Sequence, residues 1–141
     1  FRVSWLYSPF GKNFVKTIIK KCQSNKALKV VDDQFGKPTY GLDLARAVLS
    51  CLEHPDLFKY QTYHFAQGPQ TTWFDFARKI TQLIGSNCKV KPIPSSAYPT
   101  AAKRPSNSAL STQRIENTLS LNIRPWESAL EECINKIQEN E

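Results

Sequence analysis

The chain has 141 residues, 40% of them hydrophobic and 22% charged, which suits one domain with an ordinary hydrophobic core. Its 19 Lys and Arg outnumber its 12 Asp and Glu, and residues 1–104 carry 16 of the basic side chains against 6 of the acidic ones. The surplus of positive charge predicts an anionic partner. Because the basic residues are spread out and no nucleic-acid module accompanies them, a nucleotide-sized anion is expected and not a nucleic acid. No apolar run approaches the ~20 residues that span a membrane, so no membrane partner is predicted.

The first part of the chain predicts two strands around a helix. Apolar and polar residues alternate over 2–7, a helical pattern follows, and a second strand is predicted at 28–31. This strand leads into segment 32–40, which Gly36 and Pro38 shape into a defined loop. A strand-to-helix connection is where α/β proteins place ligand contacts, and turn chemistry between two core elements is the alternative interpretation.

The middle of the chain predicts two more helices and two short strands, at 63–66 and 89–93. Asp43 is predicted to cap the second helix, which ends at Pro55, and Thr72 to cap the third, in a weak capping box with the Asp three residues later. The predicted buried face of the second helix consists of Leu44, Ala47, Val48, Cys51 and Leu52. The third helix carries an aromatic pair, Trp73 and Phe76, that we interpret as core.

The stretch that follows is rich in proline. Its prolines keep residues 92–105 extended, so this stretch is either a surface loop or a ligand clamp, and Lys103 is predicted to be solvated. Thr112 is predicted to cap a short helix, and Pro125 to stand in the first turn of the last one.

The side chains that could carry chemistry lie apart from one another in sequence. Asp32 and Asp33 are adjacent, so they should point to opposite sides and not form a catalytic pair, and no catalytic residue is predicted. His54 and His64 are isolated, so no metal site is predicted either. Four widely scattered cysteines predict buried, reduced thiols and a cytoplasmic protein; they are Cys22, Cys51, Cys88 and Cys133.

Four blocks in a fixed order resemble the C-terminal part of the dTDP-4-dehydrorhamnose reductases, which are extended short-chain dehydrogenase/reductases. The central block is Asp-Asp-Gln-x-Gly-x-Pro-Thr-Tyr at 32–40, followed by Asp-Leu-Ala at 43–45. The others are Arg-Val-Ser-Trp-Leu-Tyr at 2–7, Asn-Phe-Val-Lys-Thr at 13–17 and Tyr-Pro-Thr-Ala-Ala-Lys-Arg-Pro at 98–105.

The resemblance implies an α/β fold of mixed short strands and helices, the C-terminal portion of a Rossmann-like enzyme with mainly parallel strands. The first strand is expected at an unpaired edge or paired with another molecule. The chain lacks Met and opens on strand-like residues, so we expect a substrate-binding piece, 1–141, without the Rossmann part that carries the glycine-rich loop and the Tyr-x-x-x-Lys pair. Alone it should be inactive. The whole enzyme would reduce the 4-keto group of dTDP-6-deoxy-L-lyxo-4-hexulose with NADPH or NADH, and a homodimer is one expected state of it.

The resemblance also assigns binding roles. Trp5 would lie beside the deoxysugar, with a core tryptophan as the alternative, and Ser4 and Leu6 would lie near the nicotinamide. Asn13 and Phe14 would offer backbone N–H groups to a diphosphate, unless Asn13 only caps its helix. The remaining assigned residues would line the nucleotide-sugar pocket, with Arg104 on the diphosphate; they are Gln34, Gly36, Pro38, Thr39 and Arg104.

A second interpretation stays open on the sequence alone. The regulatory beta subunit of methionine adenosyltransferase belongs to the same extended family and shares related blocks. The chain could therefore belong to a non-catalytic interaction subunit.

Overall fold

A computed structural model describes residues 1–54, 62–102 and 104–140 of the chain. Short strands and helices alternate along these residues, as the resemblance predicts. The strands are β1 Arg2–Val3, β2 Leu6–Tyr7, β3 Ala27–Val31, β4 Phe35–Gly36, β5 Thr39–Tyr40, β6 His64–Phe65, β7 Thr71–Thr72 and β8 Lys89–Ile93. The helices are α1 Phe14–Ser24, α2 Gly41–Cys51, α3 Trp73–Leu83, α4 Gln113–Leu119 and α5 Trp126–Glu139.

The strands pair mainly in parallel, as predicted. β1 pairs with β6, β2 with β5 and β3 with β8, all parallel, whereas β4 and β7 are antiparallel. The prediction of an unpaired first strand is wrong, because both halves of 2–7 find partners within the chain. Trp5 stands between the halves in the left-handed region, at φ 50°, and this break sends β1 and β2 to different partners.

Local signals located two helix starts correctly. The side chain of Asn13 accepts the N–H of Lys16 at 3.2 Å, and Thr72 accepts the N–H of Asp75 at 3.1 Å, so both predicted caps are confirmed. The predicted cap at Thr112 is wrong in its chemistry, since its hydroxyl donates to a carboxylate oxygen of Glu116. Pro125 directly precedes α5, at the cap position and not within the first turn.

The start and the buried face of α2 differ from the prediction. The helix begins at Gly41, and Asp43 lies inside its first turn and does not cap it. Val48 and Leu52 are 39% and 77% exposed, so the predicted apolar face is too wide. Among the described residues, the buried members of α2 are Ala47 and Cys51. Pro55, the predicted end of the helix, and Lys103 lie outside the described residues.

Two clusters of buried apolar side chains form the core. The larger lies between α1, α3, α5 and β3, and includes Val15, Ile18, Phe76, Ile80, Leu130 and Ile134. The smaller lies between α2, α4 and β6, and includes Ala47, Cys51, Phe65, Ile115 and Leu119. Phe76 is fully buried, which confirms the core interpretation of that aromatic. None of the described helices is long and apolar enough to cross a membrane.

An ion pair joins the start of α2 to the start of α5. Arg124 donates from Nε and Nη2 to the two carboxylate oxygens of Asp43, at 2.7 and 2.9 Å, and Nη2 also donates to Glu132 at 2.6 Å. Gln67 donates from Nε2 to Asp43 at 2.7 Å, and its carbonyl oxygen accepts the N–H of Tyr40 at 2.8 Å. The end of segment 32–40 is thereby tied to α5 through charge-assisted bonds.

We expect Arg124→Ala to lower the free energy of unfolding by about 2 kcal/mol, because it removes the bidentate partner of the Asp43 carboxylate, whose side chain is 12% exposed. Asp43 then keeps its single bonds from Arg46 and Gln67. Arg78→Ala is the matched control, because Arg78 pairs with Asp75 on an exposed helix face, and it should cost less than about 0.5 kcal/mol. Urea unfolding of both variants measures the difference. Equal destabilisation by the two substitutions would contradict a central role for the Asp43 pair.

The cysteines are free and buried, as predicted. Burial raises the pKa of the Cys22 thiol to about 11, with a further contribution from its hydrogen bond with Cys88, and raises the pKa of the Cys133 thiol to about 12. A raised pKa leaves less of the reactive thiolate at neutral pH than a free cysteine has.

We therefore expect Cys22 and Cys133 to resist iodoacetamide at pH 8 in the folded protein and to react rapidly after unfolding in guanidinium chloride. The raised pKa and the burial act in the same direction, since both keep thiolate away from the reagent. Mass spectrometry of the alkylated peptides measures labelling at each site. Fast labelling of Cys133 in the folded state would show that the helix α5 core is not packed as described.

Candidate functional site

A cleft of about 730 Å³ lies between α1, β3 and the proline-rich segment. Its volume is within the range of small-molecule sites in proteins. Helix α1 contributes Phe14, Thr17, Ile18 and Lys21, and β3 contributes residues 27–31. The remaining lining residues are Gln34, Trp73, Tyr98, Thr100 and Arg104. The cleft thus combines aromatic and aliphatic walls with a few polar groups, which is typical of ligand sites.

The electrostatics of the cleft favour an anion. Lys21, Lys29 and Arg104 line it, and no carboxylate does so among the described residues. The guanidinium of Arg104 and the amide of Gln34 make no hydrogen bond or ion pair within the described part of the chain, whereas Arg124 is fully engaged elsewhere. The cleft therefore presents cationic and amide groups that are available to a ligand.

The two adjacent carboxylates hold the walls of the cleft together. Asp32 accepts the hydroxyl of Thr72 at 2.8 Å, and Asp33 accepts the N–H and the hydroxyl of Ser95, both at 2.9 Å. The N–H of Ser95 lowers the pKa of Asp33. As predicted, the two side chains have different partners, and they fix segment 32–40 to the start of α3 and to the proline-rich segment.

Three of the predicted site residues meet in this cleft: Phe14, Gln34 and Arg104. Leu6 and Asn13 line a different groove, of about 500 Å³, together with Lys12 and Lys136. The side chain of Asn13 is occupied by its helix cap and by the carbonyl of Ser8, at 2.8 Å. The residues predicted to contact the diphosphate therefore line two concavities, with Asn13 in the groove and Phe14 and Arg104 in the cleft.

The other predicted residues do not line the cleft but hold segment 32–40 in place. Thr39 is fully buried and its hydroxyl donates to the carbonyl of Phe65, and Pro38 is fully buried beside it. The hydroxyl of Ser4 donates to the carbonyl of Lys37 at 2.7 Å. These contacts fix the backbone of segment 32–40. Their roles toward a ligand stay predictions.

Trp5 is half-buried and packs against a second tryptophan at the edge of the larger core cluster. Its ring stacks on Trp73 with the ring centroids 3.6 Å apart, and its Nε1 donates to the hydroxyl of Ser108 at 3.2 Å. Gly36 approaches the same ring so closely that a Cβ there would lie 2.4 Å from Cε2. Of this group, Trp73 lines the cleft and Trp5 does not.

The sequence predicted no site role for most of the lining residues, among them Lys21, Lys29, Trp73 and Tyr98. The aromatic pattern of α3 predicts Trp73 in the core, and the sequence predicts no binding role for the other three. The alternation of β3, in which Lys29 is exposed between buried Leu28 and Val30, was a signal that could have placed Lys29 on an open face. The proline-rich segment does reach the cleft, through Tyr98, Thr100 and Arg104, which supports its interpretation as a ligand clamp.

Residues 1–139 match the family model described as the RmlD substrate binding domain. The chain is 33% identical over 148 residues to the dTDP-4-dehydrorhamnose reductase of Escherichia coli, a match that covers 97% of the chain and 48% of that protein. The chain thus spans about half the length of the curated relatives it matches.

Solved structures of dTDP-4-dehydrorhamnose reductases also resemble this chain. A dTDP-4-dehydrorhamnose reductase from Clostridium acetobutylicum superimposes with a TM-score of 0.90 at 39% identity, over 97% of this chain and 48% of that one. The enzyme of the same name from Bacillus anthracis, in complex with NADP, superimposes with a TM-score of 0.87 at 32% identity, over 96% of this chain and 46% of that one.

We expect Gly36→Ala to destabilise the fold by about 1–3 kcal/mol, because the new methyl group overlaps the Trp5 indole and must displace it. Gly41→Ala is the matched control, since its nearest neighbour would lie at an ordinary contact distance of 3.4 Å and the residue begins a helix. Thermal melts of both variants give the comparison. A Gly36→Ala protein as stable as the Gly41→Ala protein would show that Gly36 does not contact Trp5 closely.

Proposed function

The chain belongs to the RmlD substrate-binding domain family, and we propose that it binds the nucleotide sugar in a dTDP-4-dehydrorhamnose reductase. The substrate would be dTDP-6-deoxy-L-lyxo-4-hexulose, whose 4-keto group is reduced. The observation that carries the proposal is the cleft of about 730 Å³ in which Lys21, Lys29 and Arg104 stand beside aromatic walls. Such a lining suits a ligand with a diphosphate and flat ring systems.

Arg104 is the residue we propose for the diphosphate. Its planar guanidinium donates two parallel hydrogen bonds and is always charged, and here it has no carboxylate partner among the described residues. The prolines that flank it restrict the backbone, so less conformational entropy is lost when an anion binds. Lys21 and Lys29 add positive charge to the same cleft.

The remaining predicted residues would hold the substrate's position through the backbone of segment 32–40. The buried hydroxyl of Thr39 and the hydroxyl of Ser4 both bind carbonyl groups, so this segment cannot shift without breaking them. Gln34 extends from the segment into the cleft as a polar group that can both donate and accept.

The cofactor of this reaction would be a nicotinamide dinucleotide, which supplies hydride to the 4-keto carbon. Leu6 fits a contact with it, because its side chain is exposed and lines the open groove beside the start of α1. Ser4, whose hydroxyl is already bound to Lys37, would act by holding the loop. We propose that the proton comes from the Tyr-x-x-x-Lys pair of a Rossmann half. The choice between NADPH and NADH, and the formation of any homodimer, would depend on residues of the whole protein.

The alternative of a regulatory subunit has no specific observation in its favour. The relatives described above carry the name of a reductase, and their match extends over nearly all of this chain.

In the full-length protein, we expect Arg104→Ala to weaken dTDP binding about ten- to a hundredfold, since a charge-assisted hydrogen bond of this kind contributes roughly 1.5–3 kcal/mol. Arg104→Lys should recover part of the loss, because an ammonium group cannot make the bidentate contact. Calorimetric titration with dTDP measures the affinities, and a melting curve should show little change in stability.

Lys20→Ala is the matched control for this substitution. It removes one positive charge from α1 without touching the cleft, and it should leave the dTDP affinity within about twofold, as expected for an exposed charge in physiological salt. Unchanged affinity in Arg104→Ala, or an equal loss in Lys20→Ala, would rule out Arg104 as the diphosphate ligand.

A further inference from the structure

The indole of Trp5 is held by contacts that leave it little freedom. Its backbone, at φ 50°, is in a region that residues other than glycine seldom adopt, and its carbonyl accepts the N–H of Thr39 at 3.2 Å. Its Nε1 donates to the hydroxyl of Ser108, which in turn donates to the carbonyl of Phe35, both at 3.2 Å. An unusual backbone conformation fixed by this many bonds is often found at ligand sites.

Both faces of the Trp5 ring are covered. Trp73 lies on one face, nearly parallel at 13° and with centroids 3.6 Å apart. A Cβ on Gly36 would lie 2.4 Å from Cε2 and 2.6 Å from each of its neighbours Nε1 and Cζ2, a pattern that places Gly36 above the ring and not at its edge. Because Trp73 fills one face, Gly36 must cover the other. A ligand cannot stack on Trp5 without displacing one of them.

Trp73 is the member of this stack that reaches the cleft. It is the first residue of α3, and the helix start is fixed by Thr72, whose hydroxyl donates to Asp32 at 2.8 Å. The ring of Phe14 contacts the Trp73 ring at a tilt of 48°, with centroids 4.5 Å apart. Trp73 is half-buried and lines the cleft together with Gln34 and Arg104.

We propose that Trp73 stacks on the nucleobase of the bound nucleotide and that Trp5 is a positioning residue that acts through Trp73. The inference rests on the proposed nucleotide-sugar function of the same cleft. A pyrimidine base has the flat π-surface that an indole binds, and stacking of this kind tolerates different bases. Gln34, which can donate and accept, would then read the edge of the base, while Arg104 binds the phosphates.

The experiment uses the full-length protein and two probes, dTDP and inorganic pyrophosphate. Trp73→Leu should weaken dTDP binding about tenfold and leave pyrophosphate binding within about twofold, because only dTDP carries a base. Phe74→Leu is the matched control, since the neighbouring Phe74 contacts Arg78 and does not line the cleft, and it should change neither affinity. A purely structural role for Trp73 would lower both affinities together.

The dependence of Trp5 on Trp73 is tested by a double-mutant cycle. Trp5→Leu should weaken dTDP binding in the wild-type background and have almost no further effect in the Trp73→Leu background. Additive losses would overturn the positioning role of Trp5. Equal dTDP affinity in Trp73→Leu and wild type would overturn the stacking role of Trp73 while leaving the proposed function in place.

If Trp73→Leu does not fold, a fluorescence measurement tests the stacking role of Trp73 instead. Stacking of a base should quench the emission of Trp73, so dTDP should quench the wild-type protein more than the conservative variant Trp73→Phe. Equal quenching in the two proteins would overturn the stacking role. If wild-type protein binds neither dTDP nor pyrophosphate, the proposed function and this inference both fail.

Discussion

The carboxylate of Asp43 is the point through which the parts of this domain are joined. It accepts two bonds from Arg124, one from Gln67 and one from Arg46, and Gln67 also accepts the N–H of Tyr40. Charge-assisted bonds of this kind are directional, so they fix the angle between α2 and α5 as well as their distance. Beside these bonds, the buried ring of Tyr7 stacks on Tyr40 and meets Phe76 edge-on, with centroids 5.5 Å apart in both pairs.

This anchoring determines where segment 32–40 can lie. One end is held by Asp32 and Asp33, and the other by Gln67 and the fully buried Thr39. The segment therefore keeps Gln34 at the cleft and Gly36 above Trp5. Phe14, the first residue of α1, lines the cleft, and its neighbour Asn13 lines the groove, so the two concavities meet at the start of the same helix.

The sequence predicted the features that depend on neighbouring residues. The caps at Asn13 and Thr72 were found because a helix start is a local pattern, and the parallel strands followed from the family resemblance. Asp43 was misassigned as a cap because its partners Gln67 and Arg124 are 24 and 81 residues away. The core interpretation of Trp73 is confirmed in part, because its half-buried ring packs against the larger core cluster. That it also lines the cleft depends on tertiary neighbours, which a local sequence pattern does not contain.

The central claim is that the cleft between α1 and β3 binds the nucleotide. The most direct measurement is a crystal structure of the full-length protein with dTDP. We expect electron density for the base against Trp73 and for the diphosphate within hydrogen-bond distance of Arg104. Density for dTDP confined to the groove of Leu6, Lys12 and Lys136, with the α1–β3 cleft filled by solvent, would contradict it.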